Sequence, residues 1–338
     1  MAAKTDWEFP HPSQVQTWFL LCRSAELRPG AVLSRDFLGR PIVLFRGKSG
    51  AACALSAHCS HMGTHLGRGI VVGDHLRCPL HHWEYDGQGV CRRIPATDRI
   101  PERACQASFP VAERYGGIFV FNGPEALFPA PSFSTVPEGE IRTGHGRRVR
   151  IPCPWYAVPA NAFDMQHLQT VHLRALRDTP RVERVDRHRI CLHYVSRVTG
   201  HSLTDRTMRR LSRDRISVRI TCYGGSVLTV ESDLGRAKSA LLLGFMPVDG
   251  GTQITPVVGV RKTGTGLVDH LRVRMALWLY FGFLRRDVAI MDGMRFRPRL
   301  VLPPDEALRQ YLEFLADLPL RSGVDEVRRD GEELKTSR

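Results

Sequence analysis

Two short segments constrain this chain more than any other feature. Cys59-Ser60-His61 is followed, after sixteen residues, by Cys78-Pro79-Leu80-His81. Each segment offers one thiolate and one imidazole from a tight loop. Two such loops facing each other can hold a [2Fe–2S] core, with the cysteines on one iron and the histidines on the other. Replacing two anionic thiolates by neutral imidazoles raises the reduction potential well above that of an all-cysteine cluster. Such a centre accepts electrons readily from a ferredoxin or a flavin reductase. Zinc also takes two cysteines and two histidines, but its common spacing keeps like ligands together, and the mixed pairs here disfavour it. His58, His65 and His82 stand outside the pair pattern and are expected at the surface or an interface. Gly67, Gly69 and Gly73 imitate a dinucleotide-binding run, but no strand–helix–strand context follows, so they are expected as turn glycines.

A second constellation runs Asn161-Ala162-Phe163-Asp164-Met165-Gln166-His167-Leu168-Gln169-Thr170-Val171-His172. Two histidines and a carboxylate on one face, with open positions opposite, suit a non-heme ferrous ion that must bind O₂. Asp164 and His167 are three apart and share a helix face. His167 and His172 are five apart, which in an ideal helix separates them by about 140°. Both reach one iron only if the helix ends there or opens into a π-like turn. The third ligand must come from elsewhere. Asp287, within Phe283-Leu284-Arg285-Arg286-Asp287-Val288-Ala289-Ile290, is the choice, because an acid in an apolar helix needs a partner to justify burial. Arg285 or Arg286 could be that partner instead, and Asp269 and Asp292 are alternative ligands.

The rest of the chain supports an α+β protein with two domains, the natural division of 338 residues. Residues 14–125 read as an all-β domain of short apolar runs punctuated by glycine. Residues 126–140, with Pro129, Pro131 and Pro137, suit a linker, and 141–320 form a second domain. There, 161–173 is expected as helix. Runs at 190–198, 215–223, 226–232, 239–247 and 252–260 fit an antiparallel meander, with helices at 267–294 and 304–317. The charged tail, 321–338, is expected to fray. The longest apolar run, 275–284, is too short for a bilayer span and reads as a buried helix.

Apolar residues make up 43% and charged residues 24%, as in a soluble globular protein. An odd count of nine cysteines argues against a disulfide framework. No export signal is recognisable, so a reducing, cytoplasmic setting is expected. The net charge of +14 is spread over positions such as Arg206, Arg209, Arg210, Arg213, Arg215 and Arg219, with no nucleic-acid module. A solvated face is the plain reading, and an acidic redox partner is the functional one.

With both constellations in view, the chain resembles the Rieske non-heme iron oxygenases, specifically the monooxygenases built from α-subunits alone, from about residue 18 to 318. Within that group the likeness is to arylamine N-oxygenases. It is carried by His58-Cys59-Ser60-His61, His81-His82-Trp83 with Tyr85-Asp86, Tyr115-Gly116, and Asp287-Val288-Ala289-Ile290. The resemblance implies a Rieske domain followed by a helix-grip catalytic domain with an antiparallel sheet and a long helix. It implies Cys59, His61, Cys78 and His81 on the cluster, His167, His172 and Asp287 on the mononuclear iron, and Asn161 behind those ligands. It further implies a head-to-tail homotrimer in which Asp164 bridges His167 to His81 of the adjacent subunit. O₂ would be the co-substrate and a hydrophobic aromatic or polycyclic small molecule the substrate. Arylamine N-oxygenation, hydroxylation, demethylation and oxidative cyclisation are all open. With no Rossmann motif in the chain, NAD(P)H would be used by a separate reductase. The alternative is a Rieske-type electron carrier, which needs only about the first 125 residues.

Overall fold

The computed structural model describes residues 7–321. The tail expected to fray lies, beyond Arg321, outside the described residues. The chain divides into two compact units, one made chiefly of residues 21–130 and the other chiefly of residues 131–319.

The first unit is built from short antiparallel strands. Val32–Phe37, Arg40–Arg46, Ala52–Ser56 and Ser108–Phe109 form one four-stranded sheet. Ile70–Val72, His75–Arg77, Glu84–Tyr85 and Cys91–Arg93 form another. Their shared core holds Val43, Phe45, Leu55, Leu66, Leu76 and Tyr85 together with Cys59 and Cys78. The cysteine-bearing loops thus leave two different sheets and begin inside one apolar core, which sets the start of each loop rigidly.

The second unit is an antiparallel sheet with helices on it. Its central meander runs Arg189–Val198, Ile216–Tyr223, Val227–Asp233, Lys238–Val248 and Gly251–Arg261, each paired with the next. These strands coincide with the expected runs to within a residue or two, because β-branched alternation marks a half-buried pleated surface directly. Helix α4, Gly266–Met291, lies against the sheet, with Val273 packed on Val258 and Val260. It stops three residues short of the expected 294, and Gly293 follows at φ +73°. Among the described residues no helix is long and apolar enough to cross a membrane.

The expected helix over 161–173 is two helices. Helix α1 spans Ala157–Phe163 and α2 spans Met165–Thr170, with Asp164 extended between them at φ −87°, ψ 103°. The Asp164 carboxylate accepts the backbone N–H of His167 at 2.9 Å, so it caps α2. An aspartate that satisfies an orphan N–H competes with helix continuation, and here it wins. Helix α3, Leu203–Ser212, starts with Ser202 and Asp205 capping each other, and α5 spans Glu306–Ala316. The proline-rich stretch read as a linker is pinned at one point. Buried Glu231 accepts the backbone N–H and the hydroxyl of both Ser134 and Thr135, at 2.5–3.0 Å.

Candidate metal centres

In the first unit the two loops have the same internal construction. The Cys59 N–H donates to the Thr64 carbonyl at 2.9 Å and the Cys59 carbonyl accepts from Gly63 at 2.8 Å. In the second loop the Cys78 N–H donates to Trp83 at 2.8 Å and the Cys78 carbonyl accepts from His82 at 3.1 Å. The loops face each other: the rings of His61 and His81 lie with centroids 4.6 Å apart, and Trp83 stacks on His61 at 4.3 Å. Cys59 and Cys78 are buried at 4% and 2% exposure, while both histidines are exposed. A cluster held by these four would sit with its thiolate end in the core and its imidazole end at the surface. His58 and His82 are exposed and His65 is half-buried, its Nδ1 accepting the Gly67 N–H.

Two residues that carried no assigned role organise this site. The Tyr85 hydroxyl lies 3.1 Å from Cys59 Sγ and 3.0 Å from Ser60 Oγ. Burial first, and the neighbouring Cys59 second, push the Tyr85 phenol far up, so it stays protonated and able to donate to a thiolate. Gln106 accepts the Ser60 N–H at 2.7 Å and donates to the His58 carbonyl at 2.7 Å, bracing the first loop.

In the second unit three donor atoms converge. His167 Nε2 lies 2.9 Å from Asp287 Oδ1, His172 Nε2 lies 3.0 Å from the same oxygen, and the two nitrogens are 3.0 Å apart. A triangular face of an octahedron with metal bonds of about 2.1 Å has edges of about 3.0 Å. The side chains are 9%, 3% and 13% exposed. The fit to one divalent ion therefore rests on donor type, spacing and burial together. Burial pushes the His172 imidazolium down more than Asp287 lifts it, and the two imidazoles hold Asp287 low against its own burial. A neutral imidazole and an ionised carboxylate are the forms that bind a metal.

The spacing of five between the histidines is accommodated as helix geometry demands. Helix α2 ends at Thr170, and the His172 N–H points at the His167 carbonyl from 3.5 Å, a five-residue backbone step. Neither arginine next to Asp287 pairs with it: Arg285 is exposed and Arg286 binds Asp205. Of the alternative acids, Asp269 accepts from Thr263 at 2.8 Å, and Asp292 is exposed. Asn161 lies on α1 and lines the same cavity as the triad, its amide reaching Met291 Sδ at 3.1 Å. His167, His172 and Asp287 stand in the wall of a cavity of about 260 Å³ between α4 and the sheet. Its other walls are mostly apolar, from residues such as Ile220, Leu228, Val230, Leu243, Val258 and Leu279, with Arg174, Asp205 and Arg286 among the polar groups that also line it.

Residues 17–110 match the family model of the Rieske [2Fe–2S] domain. The chain is similar to aminopyrrolnitrin oxygenase PrnD of Pseudomonas fluorescens, 29% identical over 322 residues, 82% of this chain and 84% of that one. It is also similar to cholesterol 7-desaturase nvd 1 of Ciona intestinalis, 38% identical over 164 residues, 46% of this chain but only 34% of that one. Among solved structures it shares its fold with NdmB of Pseudomonas putida CBB5, with a TM-score of 0.66 and 20% identity over 88% of this chain and 89% of that one. It shares it too with dicamba monooxygenase with non-heme iron and dicamba, at a TM-score of 0.60 and 21% identity over 91% and 98%.

Proposed function

We propose, on the premise that the chain belongs to the Rieske oxygenases by its cluster domain, its relatives and its fold, that it is a terminal monooxygenase acting on a hydrophobic aromatic or polycyclic small molecule. Cys59, Cys78, His61 and His81 hold the [2Fe–2S] cluster, and His167, His172 and Asp287 hold the mononuclear iron. The single observation that carries the reading is the triangle of His167 Nε2, His172 Nε2 and Asp287 Oδ1 in the wall of a mostly apolar cavity. A protein that only carries electrons has no use for such a triangle.

The iron supplies the O₂ chemistry when bound, and the cluster supplies electrons. The chain's own residues do the rest. His167, His172 and Asp287 would hold the ion through three donor atoms, too few to fill its coordination, as O₂ chemistry requires. The aliphatic walls bind substrate and keep water from the reacting atoms. Exposed His61 and His81 offer the cluster to an electron donor. A separate ferredoxin or flavin reductase spends NAD(P)H, and the excess of basic residues steers an acidic donor to the surface. Asp164, already fixed to the His167 backbone, accepts a bond from His81 of a neighbouring copy in a head-to-tail trimer. A cytoplasmic setting is part of this reading, none of the nine cysteines being paired in a disulfide.

The test is metal content followed by turnover. Three irons per chain are expected, against two for a carrier. A panel of arylamines, methyl ethers and sterols, supplied with a surrogate reductase, should yield a product that carries ¹⁸O from ¹⁸O₂. Two irons per chain and no labelled product would leave the chain an electron carrier.

A further inference from the structure

Metal-bound histidines are usually oriented through their second ring nitrogen. His172 departs from that pattern: its Nδ1 is buried and has no hydrogen-bond partner among the described residues. Its ring lies flat on Phe283, with centroids 3.4 Å apart and planes 4° apart, which sets the plane of the ring but not its distance from Asp287. That distance must be set through the backbone.

A buried charge clamp does this. Asp205, 1% exposed, accepts from Arg174 Nη1 at 3.0 Å and from Arg286 Nη2 at 2.6 Å. Both guanidiniums then reach the backbone beside His172. Arg174 Nη1 donates to the His172 carbonyl at 3.0 Å, and Arg286 Nη1 donates to the same carbonyl at 3.2 Å. The next residue, Leu173, stands at φ +53°, a left-handed conformation that a leucine keeps only when its surroundings over-determine it. The Leu173 carbonyl accepts the Thr199 N–H at 2.9 Å, the Thr199 hydroxyl at 2.8 Å and Arg174 at 3.3 Å. Arg286 in turn immediately precedes Asp287 on α4. One carboxylate thereby ties the turn that carries one ligand to the helix that carries another.

We propose that Asp205 is a positioning residue of the mononuclear metal site, acting through Arg174 and Arg286 to hold His172 and Asp287 at coordinating separation. The proposal rests on the reading of His167, His172 and Asp287 as the ligand set. In this role Asp205 ligates no metal and acts through the two arginines, although all three side chains also line the cavity. Arginine suits the Arg286 link because the two terminal nitrogens of its planar fork serve the carbonyl and the carboxylate at once, which a lysine ammonium does not.

The test uses the full-length protein, stripped of mononuclear metal under anaerobic conditions with its cluster retained, and dialysed to equilibrium against Fe(II). Wild type should take up one ferrous ion beyond the cluster. Asp205→Asn should weaken that binding by about 10–100-fold, the usual cost of losing a partner behind a metal ligand. The near-infrared magnetic circular dichroism bands of the bound ferrous ion should also shift, at saturating metal and with the cluster absorbance unchanged. A merely structural role would lower thermal stability and leave those bands in place. Should Asp205→Asn fail to fold, Arg286→Lys decides, since it keeps the charge and loses the fork, and about tenfold weaker binding is expected. Wild type without the extra ferrous ion refutes the ligand set itself. Wild type that binds it, with folded variants matching its affinity and its bands, overturns the positioning role alone.

Discussion

Gly63 and His82 occupy the same place in two copies of one turn. Each is the fourth residue after a cluster-loop cysteine, each donates its N–H to that cysteine's carbonyl, and each has positive φ, +72° and +57°. Glycine takes that conformation freely, whereas histidine pays roughly 1 kcal/mol for it. The exposed His82 therefore costs its turn what Gly63 does not, and the ring-to-ring approach of the two loops belongs to His61 and His81.

His82→Gly should keep the cluster chromophore and melt no lower than wild type, because the substituted residue suits the left-handed turn. His81→Ala should lose the chromophore. Visible absorbance and a melting curve check both, and a cluster spectrum that survives the loss of His81 would falsify the ligand assignment.

Tyr85→Phe should leave the cluster assembled and lower its reduction potential. The lost interaction is one hydrogen bond to Cys59 Sγ. A bond of about 1 kcal/mol corresponds to a shift on the order of 40 mV for a one-electron couple. Protein-film voltammetry reads it, and an unchanged potential would mean the phenol donates to Ser60 instead.

His167→Ala should retain the cluster, lose the mononuclear iron and stop substrate oxidation. Asp164→Asn should retain both metals and slow turnover by more than tenfold, while single-turnover reduction of the cluster by its donor stays fast. Near-normal turnover of the second variant counts against an electron bridge at Asp164.

Acid stability carries a signature of Asp205. Burial alone would push its carboxyl up, but bonds from Ser202, Arg286 and Arg174 outweigh burial and hold it at about 2. An unfolded aspartate titrates near about 3.9. The folded pKa is the lower one, so the stabilisation is complete above about pH 4 and is lost as the pH falls toward 2. It amounts to on the order of 2 kcal/mol. Denaturant titrations across that window should show a shallower acid limb for Asp205→Asn than for wild type. Parallel limbs would assign the acid loss to other carboxylates.

The residues differ in how far they could be read before any fold was known. The cluster loops were legible because all they need is local: a cysteine, a two- or three-residue step and a histidine, in a turn closed by its own backbone. The meander strands were legible for the same reason, since alternation along one strand states which face is buried. The break at Asp164 was not, because a capping aspartate and a mid-helix aspartate look alike in sequence, and only the extended backbone at that residue separates them. Ser202 and Asp205 carry the local mark of a helix start, but nothing local marks the second use of that carboxylate, toward Arg174 and Arg286.

Sequence by itself determined the ligand chemistry of this protein: which side chains can hold a half-imidazole cluster, and which two histidines stand close enough to share an ion. Tertiary structure alone decided which distant acid completes the set. Asp269, Asp287 and Asp292 are equivalent as chemistry, but α4 aims Asp287 at both imidazoles, spends Asp269 on Thr263 and leaves Asp292 to solvent. The physical reason is range. A turn is closed by hydrogen bonds among neighbours, whereas a contact across more than a hundred residues exists only once the helix has packed on its sheet.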